Sequence, residues 1–169
     1  SQMSANETGA GRLRELMHKY GKDTVQNAME EIMAYSERRT RAILKKWPDG
    51  EYTGVDHADN DGIVDEPLKI EISLRVRGDN LEIDFTGTSS QSQGPLNAVP
   101  GYANAGVYMV VQAATDPSIP PNDGCYRPIS IIAPKGTIVN PVFPAPCTGG
   151  NEICHIIGNA MFNALSQIP

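Results

Sequence analysis

The alternation of Leu68, Ile70, Ile72, Leu74 and Val76 with Lys69, Glu71, Ser73, Arg75 and Arg77 is the clearest pattern along the chain. A period of two puts the apolar set on one face and the polar set on the other, so it predicts a strand with one dry and one wet face. Gly78-Asp79 supplies a two-residue turn. Leu81, Ile83 and Phe85 then alternate with Glu82 and Asp84. Folding across the turn sets Val76 against Leu81, Leu74 against Ile83, Ile72 against Phe85, and Arg75 against Glu82 on the wet face. A slip of one residue would invert every side chain, so the register is well specified.

Helical periodicity flanks this hairpin. Leu13, Leu16, Met17 and Tyr20 form a short stripe that Gly21 ends. Asp23 and Gln26 make a capping-box-like pair at the start of a second helix. Its stripe runs through Val25, Ala28, Met29, Ile32, Met33, Ser36, Arg39, Ile43 and Trp47 until Pro48-Asp49-Gly50 stops it. That is about 23 residues and roughly 35 Å. The Arg-rich last third is expected to leave the core. Residues 51–67 read as a polar loop.

From Pro100 to Thr115 the chain is small or apolar nearly all round, which predicts a buried helix. The prolines between Asp116 and Gly124 end it. Ile129, Ile131 and Ala133, then Ile138 and Val139, suggest two short strands around Pro134-Lys135-Gly136. A last helix is expected from near Asn151 to about Gln167. The predicted class is α+β: an antiparallel sheet built on a hairpin over about 68–86 and packed with the helix over about 100–115. The N-terminal helices and the C-terminal helix complete it. The element order does not alternate as an all-parallel sheet requires. Residues 1–11 read as an expression remnant or disordered start, 12–50 as a helical segment, and 51–169 as the α+β core.

Composition narrows the function. The chain has 169 residues, 40% of them hydrophobic, enough for a sizeable core. The net charge is -6, and no basic block offers the clustered Lys and Arg that a nucleic-acid surface needs. The bases between Arg38 and Lys46 share a helix with Glu30, Glu31 and Glu37, and read as a solvated face or as a docking site. No apolar run reaches the length of a membrane span. Three cysteines do not make a disulfide framework, so reduced thiols in a cytoplasmic protein are expected.

Two stretches invite chemistry. Asp56-His-Ala-Asp-Asn-Asp-Gly62 resembles a calcium loop, but that loop would start at His57 and finish at Leu68, where acids are required. A turn whose short side chains cap their own backbone is the plainer reading. Pro144-Ala-Pro-Cys-Thr-Gly-Gly-Asn-Glu-Ile-Cys-His155 leaves three readings open. A zinc site would need Cys147, Cys154 and His155 to converge with Cys125, although neighbours on a helix point about 100° apart. A reactive Cys147 would need a base and a helix dipole. Otherwise Gly149-Gly150 turns the chain and Asn151 caps a helix, with or without an anion at its free amides. Asp116 and Asp123 read as turn formers, and Arg127 as an ion-pair partner of a bound or structural carboxylate.

Five ordered motifs carry a family resemblance. They include Glu82-Ile-Asp-Phe-Thr-Gly-Thr-Ser89, Gln93-Gly-Pro-Leu-Asn-Ala98 and Asp116-Pro-Ser-Ile-Pro-Pro-Asn-Asp-Gly-Cys-Tyr-Arg-Pro-Ile129. Ile132-Ala-Pro-Lys-Gly-Thr-Ile-Val-Asn-Pro141 and Gly149-Gly-Asn151 follow in order. Together they resemble the hydantoinase B/oxoprolinase family, which includes N-methylhydantoinase, 5-oxoprolinase, and acetone and acetophenone carboxylases. The resemblance implies an internal piece of a longer B-type subunit, part of an ATP-dependent enzyme that hydrolyses a cyclic amide such as hydantoin or 5-oxoproline. The alternatives are part of a ketone carboxylase subunit or a non-catalytic assembly module. It further implies an A-type partner subunit that handles ATP and Mg, a divalent metal held outside this segment, and an oligomeric assembly. No cofactor is expected on the segment itself, and it is expected to be inactive alone. The substrate-pocket candidates it suggests are Thr86, Gly87, Thr88, Asn97, Gly149, Gly150 and Asn151.

Overall fold

A computed structural model describes residues 2–169. Its elements are α1 (Gln2–Tyr20), α2 (Lys22–Leu44), β1 (Gly50–Ala58), β2 (Leu68–Arg77), β3 (Asn80–Asp84), α3 (Pro100–Ala114), β4 (Ile129–Ile132) and α4 (Gly150–Leu165). The fold is α+β, with one four-stranded sheet in the order β1-β2-β3-β4.

The hairpin takes the expected register: Val76 faces Leu81, Leu74 faces Ile83, and Arg75 faces Glu82. Gly78 sits at φ 64°, the left-handed value that the first central position of a tight hairpin turn demands. Ile70, Ile72, Leu74, Leu81, Ile83 and Phe85 lose all or nearly all contact with water. Each such side chain contributes about 1.5–3 kcal/mol of burial. On the wet face Arg75 pairs with Glu82 at 2.7 Å and with Glu51 and Asp84 at 3.3 Å.

The sheet differs from expectation in two ways. First, it is mixed, because β4 runs parallel to β3, with Leu81 facing Ile129 and Ile83 facing Ile131. Parallel neighbours need a long crossover, and α3 with its flanking loops supplies it. Only one strand forms there. Ile138 and Val139 are fully buried but lie in a turn, where Thr137 bridges singly to Ser90 and Asn140. Second, the expected polar loop 51–67 begins as the edge strand β1, paired along its whole length with β2. Its edge is covered by α4 and the residues just past it: the Asn163 side chain of the helix donates to the Val55 carbonyl at 3.0 Å, and that of Gln167, beyond the helix end, donates to the Thr53 carbonyl at 2.6 Å.

α3 and α4 pack against each other, and α4 lies across β1 and β2. Ile153, Ile157, Ala160, Met161 and Ala164 of α4 are fully buried, as are Ala103 and Val107 of α3. The closest approach is at Gly54 of β1, where an added Cβ would fall 1.9 Å from the Ala160 carbonyl oxygen. Strand and helix touch backbone to backbone there.

The N-terminal helices also depart from the sequence reading. Helix α1 begins at Gln2, so it includes residues read as an expression remnant or disordered start. Gly21 rather than Asp23 occupies the N-cap of α2 and makes no side-chain cap bond. The Arg-rich end of α2 stays with the core, because its bases find carboxylates. Arg39 pairs with Asp116, while Arg41 bonds Glu37 at 2.9 Å and Asp79 at 3.1 Å. Between these bases Ser36, Thr40 and Leu44 are buried, and the Ser36 hydroxyl donates to the Pro120 carbonyl at 3.0 Å. The apolar positions Met29 and Ile32, expected inside, are exposed instead.

Candidate functional site

The loops that carry the predicted site residues separate into two groups. The first lies beside the start of β2. Thr86 caps the end of β3: its backbone N–H and hydroxyl donate to the Asp84 carboxylate at 2.9 and 2.7 Å. Gly87 then adopts φ 99°, and a Cβ there would meet the Glu71 carboxylate at 2.8 Å. Thr88 is buried. Its hydroxyl accepts from the Glu71 N–H at 3.1 Å and donates to the Glu71 carbonyl at 3.0 Å, extending the sheet by side chain.

The second group lies where the loops after β1, after β3 and before α4 meet. Asn97 is fully buried at its centre. Its carbonyl oxygen accepts from the Ser92 N–H at 2.8 Å. Its amide donates to the carbonyls of Ser92 and Gly94, both at 3.1 Å, and of Pro146 at 2.8 Å. Gly149 donates its N–H to the Pro95 carbonyl at 2.9 Å, and a Cβ on it would press within 2.6 Å of Leu96. Gly150 is buried beside Tyr102. The structure therefore brings Asn97, Gly149 and Gly150 together. Among the described residues no hydrogen bond joins them to Thr86, Gly87 or Thr88.

Two members of the second group escape a reading of the sequence. Asp61 is buried and accepts four bonds: from the N–H groups of Ile63 at 2.9 Å, Val64 at 2.7 Å and Gly94 at 3.0 Å, and from the Ser92 hydroxyl at 2.7 Å. The Val64 N–H, the Ser92 hydroxyl and the other donors hold its carboxyl far below the usual carboxylate range. The acid-rich turn 56–62 is the available signal, and it does cap its own backbone. The partner Ser92, 31 positions away, carries no signal of its own. A polar concavity of ≈ 250 Å³ opens beside this staple, lined by Asp61, Glu66, Ser89, Gln91 and Gln93.

Asn151 does not cap α4; Gly149 holds the N-cap position, and the Asn151 side chain lies exposed in the first turn. Cys125 is buried, with its thiol directed at the Pro120 carbonyl at 3.2 Å. Cys147 is half-buried and lies 3.4 Å from the Ala145 carbonyl oxygen. Burial pushes the Cys154 thiol up, which suits a filler rather than a nucleophile. Arg127 pairs with Glu37 at 3.2 Å and Asp123 at 3.5 Å, a structural use. Among the described residues no three His, Cys, Asp or Glu side chains stand close enough to hold a metal ion. Every buried polar side-chain atom described finds a partner within the chain. Among the described residues no helix is long and apolar enough to cross a membrane.

The chain is 38% identical to a protein of Pseudomonas sp. (strain NS671) assigned as the B component of a D-/L-hydantoinase, over 99% of this chain and 30% of that protein. It is 32% identical to the beta chain of the caprolactamase of Pseudomonas jessenii, over 86% of this chain and 25% of that one. The crystal structure of the ATP-dependent caprolactamase from Pseudomonas jessenii superimposes with a TM-score of 0.87 at 29% identity, covering 99% of this chain and 29% of that chain. A nucleotide-free acetone carboxylase shares the fold with a TM-score of 0.76 at 19% identity, over 92% of this chain and 22% of its own. The chain thus spans about a third or less of the length of these relatives. The family model described as hydantoinase B/oxoprolinase matches residues 1–169, and this chain belongs to that family.

Proposed function

We propose that these residues form a supporting wall of the B-type subunit of an ATP-dependent enzyme that opens a cyclic amide. The similarity to the ATP-dependent caprolactamase over 99% of the chain carries the reading. The chemistry of the loops supports it. Thr88 spends its hydrogen-bonding capacity on the β2 backbone, and Asn97 and Asp61 spend theirs on their own and neighbouring loops. Groups used in this way set the shape of a pocket rim but have nothing left to activate water. In this reading Gly149, Gly150 and Asn151 present the start of α4 to the substrate side, Thr86 and Gly87 present the end of β3, and Thr88 and Asn97 hold those loops still. The reacting groups and any divalent metal lie outside these 169 residues, and an A-type partner handles ATP and Mg. The complex works in the cytoplasm.

The test is reconstitution with an A-type partner, followed by ATP hydrolysis and ring opening of hydantoin, 5-oxoproline and caprolactam. The longer B-type polypeptide should be active, and this chain in its place should not. Turnover by these 169 residues with only the A-type partner would overturn the wall assignment. A ketone carboxylase would instead consume bicarbonate with acetone and leave the cyclic amides untouched.

A further inference from the structure

Asp61 divides its two carboxylate oxygens between two loops. Oδ1 accepts from the N–H groups of Ile63 and Val64 in its own turn. Oδ2 accepts from the Ser92 hydroxyl and the Gly94 N–H, 31 and 33 positions away. An aspartate that merely caps its own turn needs only the first pair. All four donors are neutral groups, so the charge of this buried carboxylate goes wholly into strengthening these bonds. A carboxamide of the same shape has a single acceptor oxygen and cannot copy the set. The two loops also touch through backbone, since a Cβ on Gly94 would fall 2.3 Å from the Asp61 carbonyl oxygen.

From Ser92 and Gly94 the bonds run on to α4. The Asn97 carboxamide holds the Ser92 N–H and the Ser92 and Gly94 carbonyls, and it also donates to the Pro146 carbonyl. The Pro95 carbonyl accepts from both the Asn97 and the Gly149 N–H, each at 2.9 Å. Asp61, Ser92 and Asn97 are 5%, 6% and 0% exposed, so water cannot readily stand in for a lost member. The residues that open α4 are therefore tied, bond by bond, to a carboxylate in the loop after β1.

We propose that Asp61 is a positioning residue for the start of α4: through Ser92, Gly94 and Asn97 its ionised carboxylate sets where Gly149 and Gly150 stand. Any effect of this on substrate rests on the wall reading; the effect on the helix start does not. Hydrogen exchange tests the positioning without substrate or partner, on the longer B-type polypeptide, by mass spectrometry of peptides spanning residues 147–153. Asp61→Asn and Ser92→Ala should each speed exchange of the Gly149 and Gly150 amides about tenfold or more relative to the amides of β2. The double variant should be little worse than Asp61→Asn alone, because both changes break one link. Ser36→Ala is the control, since it removes a buried serine hydroxyl that donates to the Pro120 carbonyl from α2, and it should leave that ratio unchanged. If Asp61→Asn does not fold, Ser92→Ala against Ser36→Ala decides the matter. Unaltered Gly149 and Gly150 exchange in Ser92→Ala overturns the proposal, as does equal acceleration in Ser36→Ala or a fully additive double variant. Kinetics with the A-type partner separates this from the wall reading. Ser92→Ala should raise KM for the cyclic amide several-fold and leave kcat per folded molecule nearly unchanged. Accelerated exchange with an unmoved KM supports the positioning and counts against the wall.

Discussion

Replacing Gly54 by alanine tests the central packing claim, that β1 and α4 meet through bare backbone. The new Cβ would lie 1.9 Å from the Ala160 carbonyl oxygen, 2.8 Å from the Ala164 nitrogen and 2.9 Å from the Ala160 carbonyl carbon. Neither neighbour is a side chain that can rotate away. Even a tight contact of 3.0 Å requires strand and helix to part by about 1 Å. A gap of that size forfeits roughly a quarter to a half of the dispersion well of each contact across it. Ile153, Ile157, Met161 and Ala164 of α4 are fully buried and share that loss. Overpacking in ordinary cores costs about 1–3 kcal/mol, with side-chain rotation absorbing part of the insult. Here the expected cost is at the top of that range, about 3 kcal/mol, which is roughly 6–12 °C in Tm for a chain of this size. The assay is urea unfolding followed by circular dichroism, with Gly158→Ala as the control in the same helix. A Cβ at Gly158 meets only Met109 and Val110, at 3.7 and 3.8 Å, which is ordinary contact. That variant should gain about 0.5–1 kcal/mol from better helix propensity. A Gly54→Ala protein within about 1 kcal/mol of wild type, or a Gly158→Ala protein equally damaged, would refute the reasoning.

Three further outcomes follow from the loops. Asn97→Leu leaves the Ser92 N–H and three carbonyls without their partner, so it should cost about 2–4 kcal/mol in urea unfolding and lower the activity of the longer B-type polypeptide in step with its folded fraction. Asp61 is depressed in the folded state, so the unfolded chain binds the extra proton at low pH. Its contribution is complete above the ordinary carboxylate range and drains away as pH falls below about 4. The wild type should therefore lose stability on acidification, and Asp61→Asn, less stable at neutral pH, should show a flatter dependence between about pH 5 and 3. Thiol labelling under native conditions should modify half-buried Cys147 first, with Cys125 reacting only on unfolding.

The hairpin is legible because both of its signals are local: a period of two on each arm and a two-residue glycine turn between them. The buried helix over 100–115 and the closing helix are equally plain, and both lie where expected. Strand β1 is not legible, and its register explains why. The residues that face the same side as Val76, Leu74, Ile72, Ile70 and Leu68 are Gly50, Tyr52, Gly54, Asp56 and Ala58. That set has one large apolar side chain and no β-branched residue, so no alternation marks it as a strand. The pattern is absent because α4 crosses too closely to admit side chains at Gly54, and because Asp56 is used to accept from the Asn159 amide at 3.0 Å. The parallel pairing of β4 is hidden for a different reason, since it joins residues almost fifty positions apart with no turn to announce it.

The same limit governs the candidate site. Asn97, Gly149 and Gly150 come from separate motifs and do meet, yet the residue that ties the Ser92–Gly94 loop to the loop after β1 is Asp61, which lies in a turn whose spacing fails as a calcium site. Sequence spacing can show that an acidic turn caps itself. It cannot show that the same carboxylate reaches a serine and a glycine N–H on another loop. The brace has a mechanical consequence. Because β1 holds the C-terminal half of α4 through Gly54 and the loop after β1 holds the approach to α4 through Asp61, Ser92 and Asn97, the helix is fixed near both of its ends. A ligand at Gly150 and Asn151 would meet a surface already rigid before it arrives, which is the condition under which a wall of this kind lowers the ordering cost of binding.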